Sequence, residues 1–477
     1  MVRQGVPGVE RGRPRVRGAL VVAVIVLIPL ALQAVWDQVE ASLLARAVRD
    51  LERRGEPINL KPLRATLPAA DERKAARLYA AAADLALAVA RDNPDQYLHR
   101  PSLVIESVLG SSALDARLDD LQREYADSGT ALDLLDRATP LRFAGFGDHA
   151  PELLTNGSGM VELSAFNSIR AQIAAARGQA EAAVAAVAAS VRLQRTMPNA
   201  FYEQLATAST FDALRAVLSS NVLTTGALDT LRRAYEDTPD HDRAEADLLM
   251  GRARLVGDFW PYSPEMTPWE LRMQPPIRSG LAGAIGFVAA RPWITHQFRR
   301  MLPGFDEALA VARLPWPSKL DAANALSRKY SIDPVRKIFP ETSFIWSLGR
   351  FHTYLGPANL EWNLPDAGLI LARRRVALAT LGVERYRRDH GDALPATLDR
   401  LVPAYLPEIP IDPFSGGPIA FASHSGSYTI YSVDTDRKDD GGALYGAYTG
   451  SPVRASNKGS RDLGIRVPLT PATRGGQ

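Results

Sequence analysis

RAQIAAARGQAEAAVAAVAASVRLQ, residues 170–194, is the stretch whose reading decides the fold class. Just before and into it, Leu163, Phe166, Ile169 and Ile173 recur at helical spacing, and within it Ala180, Val184, Val187 and Val191 do the same. Each set lines one apolar face of a 3.6-residue period, which predicts two helices over 159–177 and 179–197. Gly178 between them suits the left-handed position that ends one helix and reverses the chain. The many Ala let two helix backbones approach closely. Outward from this pair the texture persists from Trp36 to about residue 357. Helices are predicted near 71–92, 112–126, 129–138, 200–221, 226–237, 240–257, 303–313, 318–330 and 341–355. Asp71 can cap the first of these and Asn93-Pro94 stops it. The chain therefore reads as mainly α.

The chain has 477 residues, 46% of them hydrophobic and 23% charged. That composition is globular and predicts two or three folded units. It excludes a wholly disordered chain, a collagen-like chain and a polytopic membrane protein. With Cys at 0, disulfides, thiolate metal sites and Cys nucleophiles are excluded. The net charge of +3 comes from residues 1–18, which hold five Arg against Glu10; without them the balance is −1. One short basic arm is not a nucleic-acid-binding surface, and no nucleic-acid partner is expected.

Ala19–Leu32 (ALVVAVIVLIPLAL) is uncharged and apolar, and Gly18–Trp36 is an uncharged span of 19 residues. At 1.5 Å per residue this just spans a hydrocarbon core of about 30 Å. Trp36 stands where an interfacial aromatic would anchor the exit. Five Arg precede the span while Asp37 and Glu40 follow it, so residues 1–17 are expected in the cytoplasm and the bulk outside the inner (cytoplasmic) membrane. The expected contact with the bilayer is Ala19–Val35. A cleaved signal peptide is the rival reading, but Leu32-Gln33-Ala34 has a large residue where a small one is wanted. Asp37–Arg54 is expected to continue the anchor outward as a polar stem.

The expected organisation is a basic arm 1–17, a transmembrane helix 18–36, a helical body 37–258, a Pro- and aromatic-rich loop 259–276, a second helical block 277–365, a small α+β module 366–442 and a disordered tail 443–477. The helix–Gly–helix pair, with residues 170–194 at its centre, resembles one tetratricopeptide-like hairpin over about 40 residues, without a clean tandem period; an irregular bundle is the alternative. In the loop, Trp260, Tyr262 and Trp269 are candidate residues of a ligand or partner groove, against a plain role in plugging a helical core. Ser279–Ala290 (SGLAGAIGFVAA) is too short to span a bilayer and is expected as a buried or surface-lying helix.

Residues 366–442 change texture. A helix over Asp366–Asp389 carries Ala372, Val376, Ala379, Val383 and Tyr386 on one stripe. A short helix Pro395–Leu401 follows, then Pro407, Pro410 and Pro413 on an extended path, then strands Pro418–Ala422 and Tyr428–Val433. VERYRRDHGDALPATLDRLVPAYLPEIPIDPFSGGPIAF (383–421) and YTIYSVDTDRKDDGG (428–442) together resemble the globular domain of the major pseudopilin of type II secretion. The resemblance covers about 75 residues. A pseudopilin carries its membrane helix directly before this module, and some 330 residues intervene here, so the resemblance does not imply a pilus subunit. The whole layout is similar to a group of membrane-anchored bacterial envelope proteins, a likeness that lends no activity. The resemblance implies a calcium site in the acidic loop, with Asp434, Asp436, Asp439 and Asp440 as donors; the alternative is a solvated turn. No EF-hand pattern is present.

Chemistry-bearing motifs are sparse. The 7 His are scattered with no HExxH and no pair at i, i+4. Walker A and G-x-S-x-G are absent. Three readings follow: a non-enzymatic scaffold of the envelope, an accessory component of a type II secretion or pilus-like apparatus, and an envelope-acting enzyme with its site in the helical body. Tight docking of 366–442 on the helices would weaken the second.

Overall fold

The computed structural model describes residues 13–56, 58, 70–92, 119, 122, 126–141, 157–197, 200–220, 223–238, 244–259, 281–330, 360–444 and 462–469. Among these the chain is mainly helical, with a small antiparallel sheet near its C-terminus. The helices are α1 (Arg13–Arg53), α2 (Ala70–Asp92), α3 (Gly129–Ala138), α4 (Gly157–Ala176), α5 (Ala180–Gln194), α6 (Ala200–Ser219), α7 (Thr225–Glu236), α8 (Ala244–Phe259), α9 (Leu281–Ala312), α10 (Ser318–Tyr330) and α11 (Leu360–Asp389). The strands are β1 (Ala420–His424), β2 (Ser427–Ser432) and β3 (Leu463–Pro468). Helices expected near 112–126 and 341–355 lie outside the described residues, apart from Asp119, Gln122 and Ala126.

The chain divides into two compact units assembled from interleaved segments: Met1–Leu60, Met250–Glu307 and Ile332–Pro357 in the first, Lys61–Leu249, Ala308–Ser331 and Ala358–Gln477 in the second. The expected boundaries ran in sequence order, so the body 37–258 and the block 277–365 each contribute to both units. Helix periodicity carries no record of which distant helix a stripe will meet, and the interleaving is therefore invisible in it.

In the first unit, α1 continues past the apolar stretch as the expected stem. Its second half buries Leu44, Val48 and Leu51, and α9 buries Phe298, Leu302 and Phe305 at the same i, i+4, i+7 spacing. Such spacing keeps three side chains on one helix face. Gly55, at φ 72°, ends α1: Glu56 N–H reaches Leu51 O at 3.0 Å, a Schellman closure.

The second unit holds α2–α7, α10, α11 and the sheet. The α4–α5 hairpin forms where Gly178 (φ 73°) reverses the chain, with Gln179 N–H donating to Ala174 O at 2.8 Å. Buried Asn167 on α4 donates to Ala186 O and Ser190 Oγ on α5, both at 2.7 Å. Helices α2 and α4 come so close that a Cβ on Gly159 would stand 2.4 Å from Ala83 O. One core joins α2, α3 and α4 around Tyr79, Leu135 and Leu163; the other joins α4–α7 to α11 and the sheet.

α11 starts six residues before the expected Asp366, with Pro365 inside it, and ends as expected at Gly391 (φ 59°). Ala372, Val376, Ala379 and Val383 are fully buried. The short helix is a 3-10 turn, Leu398–Leu401. β1 and β2 form a hairpin through Ser425-Gly426, with Phe421 opposite Ile430. The third strand corrects the sequence reading. Leu463–Pro468, inside the stretch expected to be disordered, pairs antiparallel with β2, Ile465 opposite Ile430 and Val467 opposite Tyr428. Only six residues carry its alternation, and the Gly, Ser and Thr around them hide it in any composition average.

Candidate functional site

Three places in the fold gather exposed apolar or titratable groups. The first is on α1. Leu27, Ile28, Leu30, Leu32, Val35, Trp36 and Val39 are 43–66% exposed, and they make up most of the large exposed apolar residues among those described. The next residue, Glu40, is 5% exposed. Water-exposed apolar surface of this extent on one helix marks a contact with another apolar phase or partner. Directly beyond it comes a polar collar. Glu40 Oε1 lies 2.8 Å from His296 Nδ1 and Glu40 Oε2 accepts from Arg299 Nε at 3.0 Å. Arg291 Nε stands 3.4 Å from Asp37. Burial by itself would raise the Glu40 pKa, but the hydrogen bonds from Arg299 and His296 outweigh it and hold the carboxyl below its ordinary value. Further along, Arg252, fully buried, pairs with Asp306 at 3.0 Å and with Glu56, and Arg54 also meets Asp306 at 3.2 Å.

Among the described residues no helix is long and apolar enough to cross a membrane. The side chains of residues 13–26, which include more than half of the apolar stretch, lie outside them.

The acidic loop after β2 is the second place. Asp434, Asp436, Asp439 and Asp440 lie in the loop that follows β2, and the local backbone engages most of them. Asp434 accepts from Thr435 N, Asp436 from Lys438 N at 3.0 Å, and Asp439 from Gly441 N at 2.8 Å and from Tyr431 OH at 3.0 Å. The turn also uses an acid that sequence reasoning missed. Asp462, fully buried, accepts from Gly442 N at 2.8 Å and Asp440 N at 3.2 Å. Burial raises its pKa, its backbone hydrogen bonds lower it, and repulsion from Asp439 and Asp440 raises it again. No signal in the sequence pointed to Asp462, which lies 22 residues from its partner Asp440. Asp412 was also missed: it accepts from Phe414 N, Ser432 Oγ and Val433 N, pinning the Pro-rich path to the end of β2. Among the described residues no three His, Asp or Glu are grouped so as to hold a metal ion.

Third, Arg373 of α11 acts on carboxylates from three elements. Burial pushes Asp212 of α6 up to about 6, against the pull of Arg215 and Arg373. It pushes Asp366 of α11 up to about 6, with Arg373 opposing. Asp434 is raised too, burial again leading and Arg373 among the opposing charges. Carboxyls in this range suit proton transfer, yet Asp212 is buried in the helical core and offers no approach to a substrate. A second buried pair, Glu384 with Arg387 at 2.7 Å, takes the Tyr428 hydroxyl at 2.5 Å and joins α11 to β2.

The aromatic groove candidates Trp260, Tyr262 and Trp269 lie outside the described residues, as do four of the seven His. Of the rest, His296 belongs to the collar, His390 stacks on Tyr386 at 3.9 Å, and His424 ends β1. Comparison with known proteins leaves this geometry to speak for itself: no family model, no curated protein and no solved structure matches the chain.

Proposed function

We propose that this chain is a single-pass, membrane-anchored protein of the bacterial envelope, with its N-terminus in the cytoplasm and its helical bulk outside, acting as a non-enzymatic scaffold. The observation that carries the reading is the abrupt change along α1. Leu27–Val39 offers apolar side chains outward, and from Glu40 on the same helix is ion-paired and packed. A membrane boundary near Trp36 accounts for both halves: acyl chains take up the first, and water and protein the second. The scaffold role rests on helices stacked through small residues, an architecture that presents extended faces to protein partners, and the α4–α5 hairpin is its tetratricopeptide-like element.

Its pseudopilin-like end is a rigid part of that body rather than an accessory to a secretion apparatus. α11 is sandwiched: the sheet covers one side, and α6 and α7 share its core on the other, with Arg385 bonded to Asp229 at 2.8 Å and Arg374 to Tyr235 O at 3.0 Å. A module imitating a pseudopilin needs its helix free to pack with other subunits.

Fractionation of cells producing the full chain with a C-terminal tag tests the anchor. The tag is expected in the membrane pellet, resistant to alkaline carbonate and open to protease added outside the inner membrane. Recovery in the soluble cytosolic fraction would remove the reading. Cross-linking followed by purification and mass spectrometry tests the scaffold role, with a reproducible envelope protein expected; only nonspecific recovery would count against it.

A further inference from the structure

Helices α1 and α9 lie side by side and point the same way. Asp37 meets Arg291, Glu40 meets His296 and Arg299, and Arg54 meets Asp306, so position rises along both helices together. The rise from Asp37 to Arg54 is about 25 Å and that from Arg291 to Asp306 about 22 Å at 1.5 Å per residue, so the two stay in step. The consequence lies at the other end. The first ten residues of α9, Leu281–Ala290, precede Arg291, and therefore begin on the side of the collar where α1 carries Leu27–Trp36. Their sequence, LAGAIGFVAA, has no charged or hydrogen-bonding side chain.

We propose that Leu281–Ala290 is a second membrane contact of this chain, immersed in the leaflet that adjoins Asp37, beside α1. The inference rests on the reading of α1 as the anchor. Ten residues rise about 15 Å, half of a hydrocarbon core of about 30 Å, so the segment enters and leaves by the same face. From Ile285 on the backbone N–H groups of α9 are satisfied within the helix, which permits immersion, while the first four N–H groups have no intrahelical partner and need the hydrated, shallow region of the leaflet. The charge of Arg278, three residues ahead in the sequence, selects a shallow depth. Drawing a guanidinium to the bilayer centre costs more than the four large apolar residues Leu281, Ile285, Phe287 and Val288 return. Pro292, within α9 and next to Arg291, lacks the N–H of a regular turn and lets the helix bend just above the collar.

The chain lacks Cys, so single-Cys variants can be labelled cleanly. Full-length Leu27→Cys, Ala284→Cys and Phe287→Cys would each carry an environment-sensitive nitrobenzoxadiazole dye and be reconstituted in phosphatidylcholine–phosphatidylglycerol vesicles. Quenching by lipids brominated near the headgroup is compared with quenching by lipids brominated near the chain ends. A circular dichroism spectrum matching the unmodified chain qualifies each variant, and Ala284 is a minimal change should Phe287 prove necessary for folding. All three dyes are expected to be quenched, those at 284 and 287 more strongly by the shallow bromine. Quenching at 27 with solution-like emission at 284 and 287 would overturn the second contact and leave the anchor standing. Stronger quenching by the deep bromine at 284 would overturn the shallow placement. No quenching at any position, 27 included, would remove the anchor reading and this inference with it.

Discussion

Asp412 takes three donors, Phe414 N from its own Pro-rich path and Ser432 Oγ and Val433 N from the end of β2. It is buried, and each oxygen that accepts a hydrogen bond replaces water that Phe414 N, Val433 N and the Ser432 hydroxyl have lost. Truncation to Ala would strand those donors, and the expected loss is about 3 kcal/mol in chemical denaturation. Asp212 behaves oppositely. Its folded pKa, raised to about 6 from 3.8, means that the folded state binds the proton more tightly than the unfolded state. This contribution to stability is full below the unfolded value and is lost as pH rises through about 6. Asp212→Asn is expected to gain stability over the natural chain progressively between pH 4 and 7, read from melting temperatures across that range. A gap that does not change with pH would contradict the assignment. For Glu40 the sign reverses: its pKa is depressed, so the collar's contribution is present above the unfolded value and fades as pH falls through the folded one. In the acidic loop, Asp439 and Asp462 already hold loop N–H groups, and millimolar calcium is expected to leave the melting temperature of the full chain unmoved. A saturable rise would show that the loop opens to coordinate the ion.

Among the elements, the α2–α4 crossing depends on an absent side chain. A Cβ on Gly159 would press on the backbone oxygen of Ala83, which is not the flexible end of a side chain, so the helices would have to part. Gly159→Ala is expected to destabilise by about 1–3 kcal/mol in spite of the better helix propensity of Ala, measurable by urea denaturation. The helices themselves were legible. The hairpin around Gly178, the capped end at Gly391 and the span Ser318–Tyr330 follow from periodicity and breakers, both local. The start of α11 was not legible: the helix was expected from Asp366, while in the fold it begins at Leu360 and takes Pro365 into its second turn, where the ring removes one helical N–H. β3 was missed for another reason. A six-residue edge strand owes its order to β2, which lies 31 residues upstream and supplies the whole ladder.

For the whole molecule, the module at the C-terminus is not a separable domain. α11 shares its core with α6 and α7 as well as with the sheet, and the sheet is completed by a strand beyond residue 442. A fragment covering 360–445 would expose one side of α11 and leave β2 unpaired along one edge. It is expected to be aggregated or poorly ordered by circular dichroism and one-dimensional NMR, in contrast to the full chain. A well-dispersed, cooperatively melting fragment would contradict the shared core. Two units built from interleaved segments carry the same lesson: neither can be excised by cutting the chain once.

Helical class, the reversal at Gly178, the hairpin and the uncharged stretch behind a basic arm all came from the sequence alone, because each depends on residues within a few positions of one another. Which faces meet was decided only in three dimensions. The collar of Glu40 with His296 and Arg299, the parallel run of α1 and α9, the burial of Asp462 and the completion of the sheet each join residues that are 20 to 260 positions apart. Side-chain periodicity encodes that a face will be buried, but the partner is selected by packing of the whole chain, and no local pattern records the outcome.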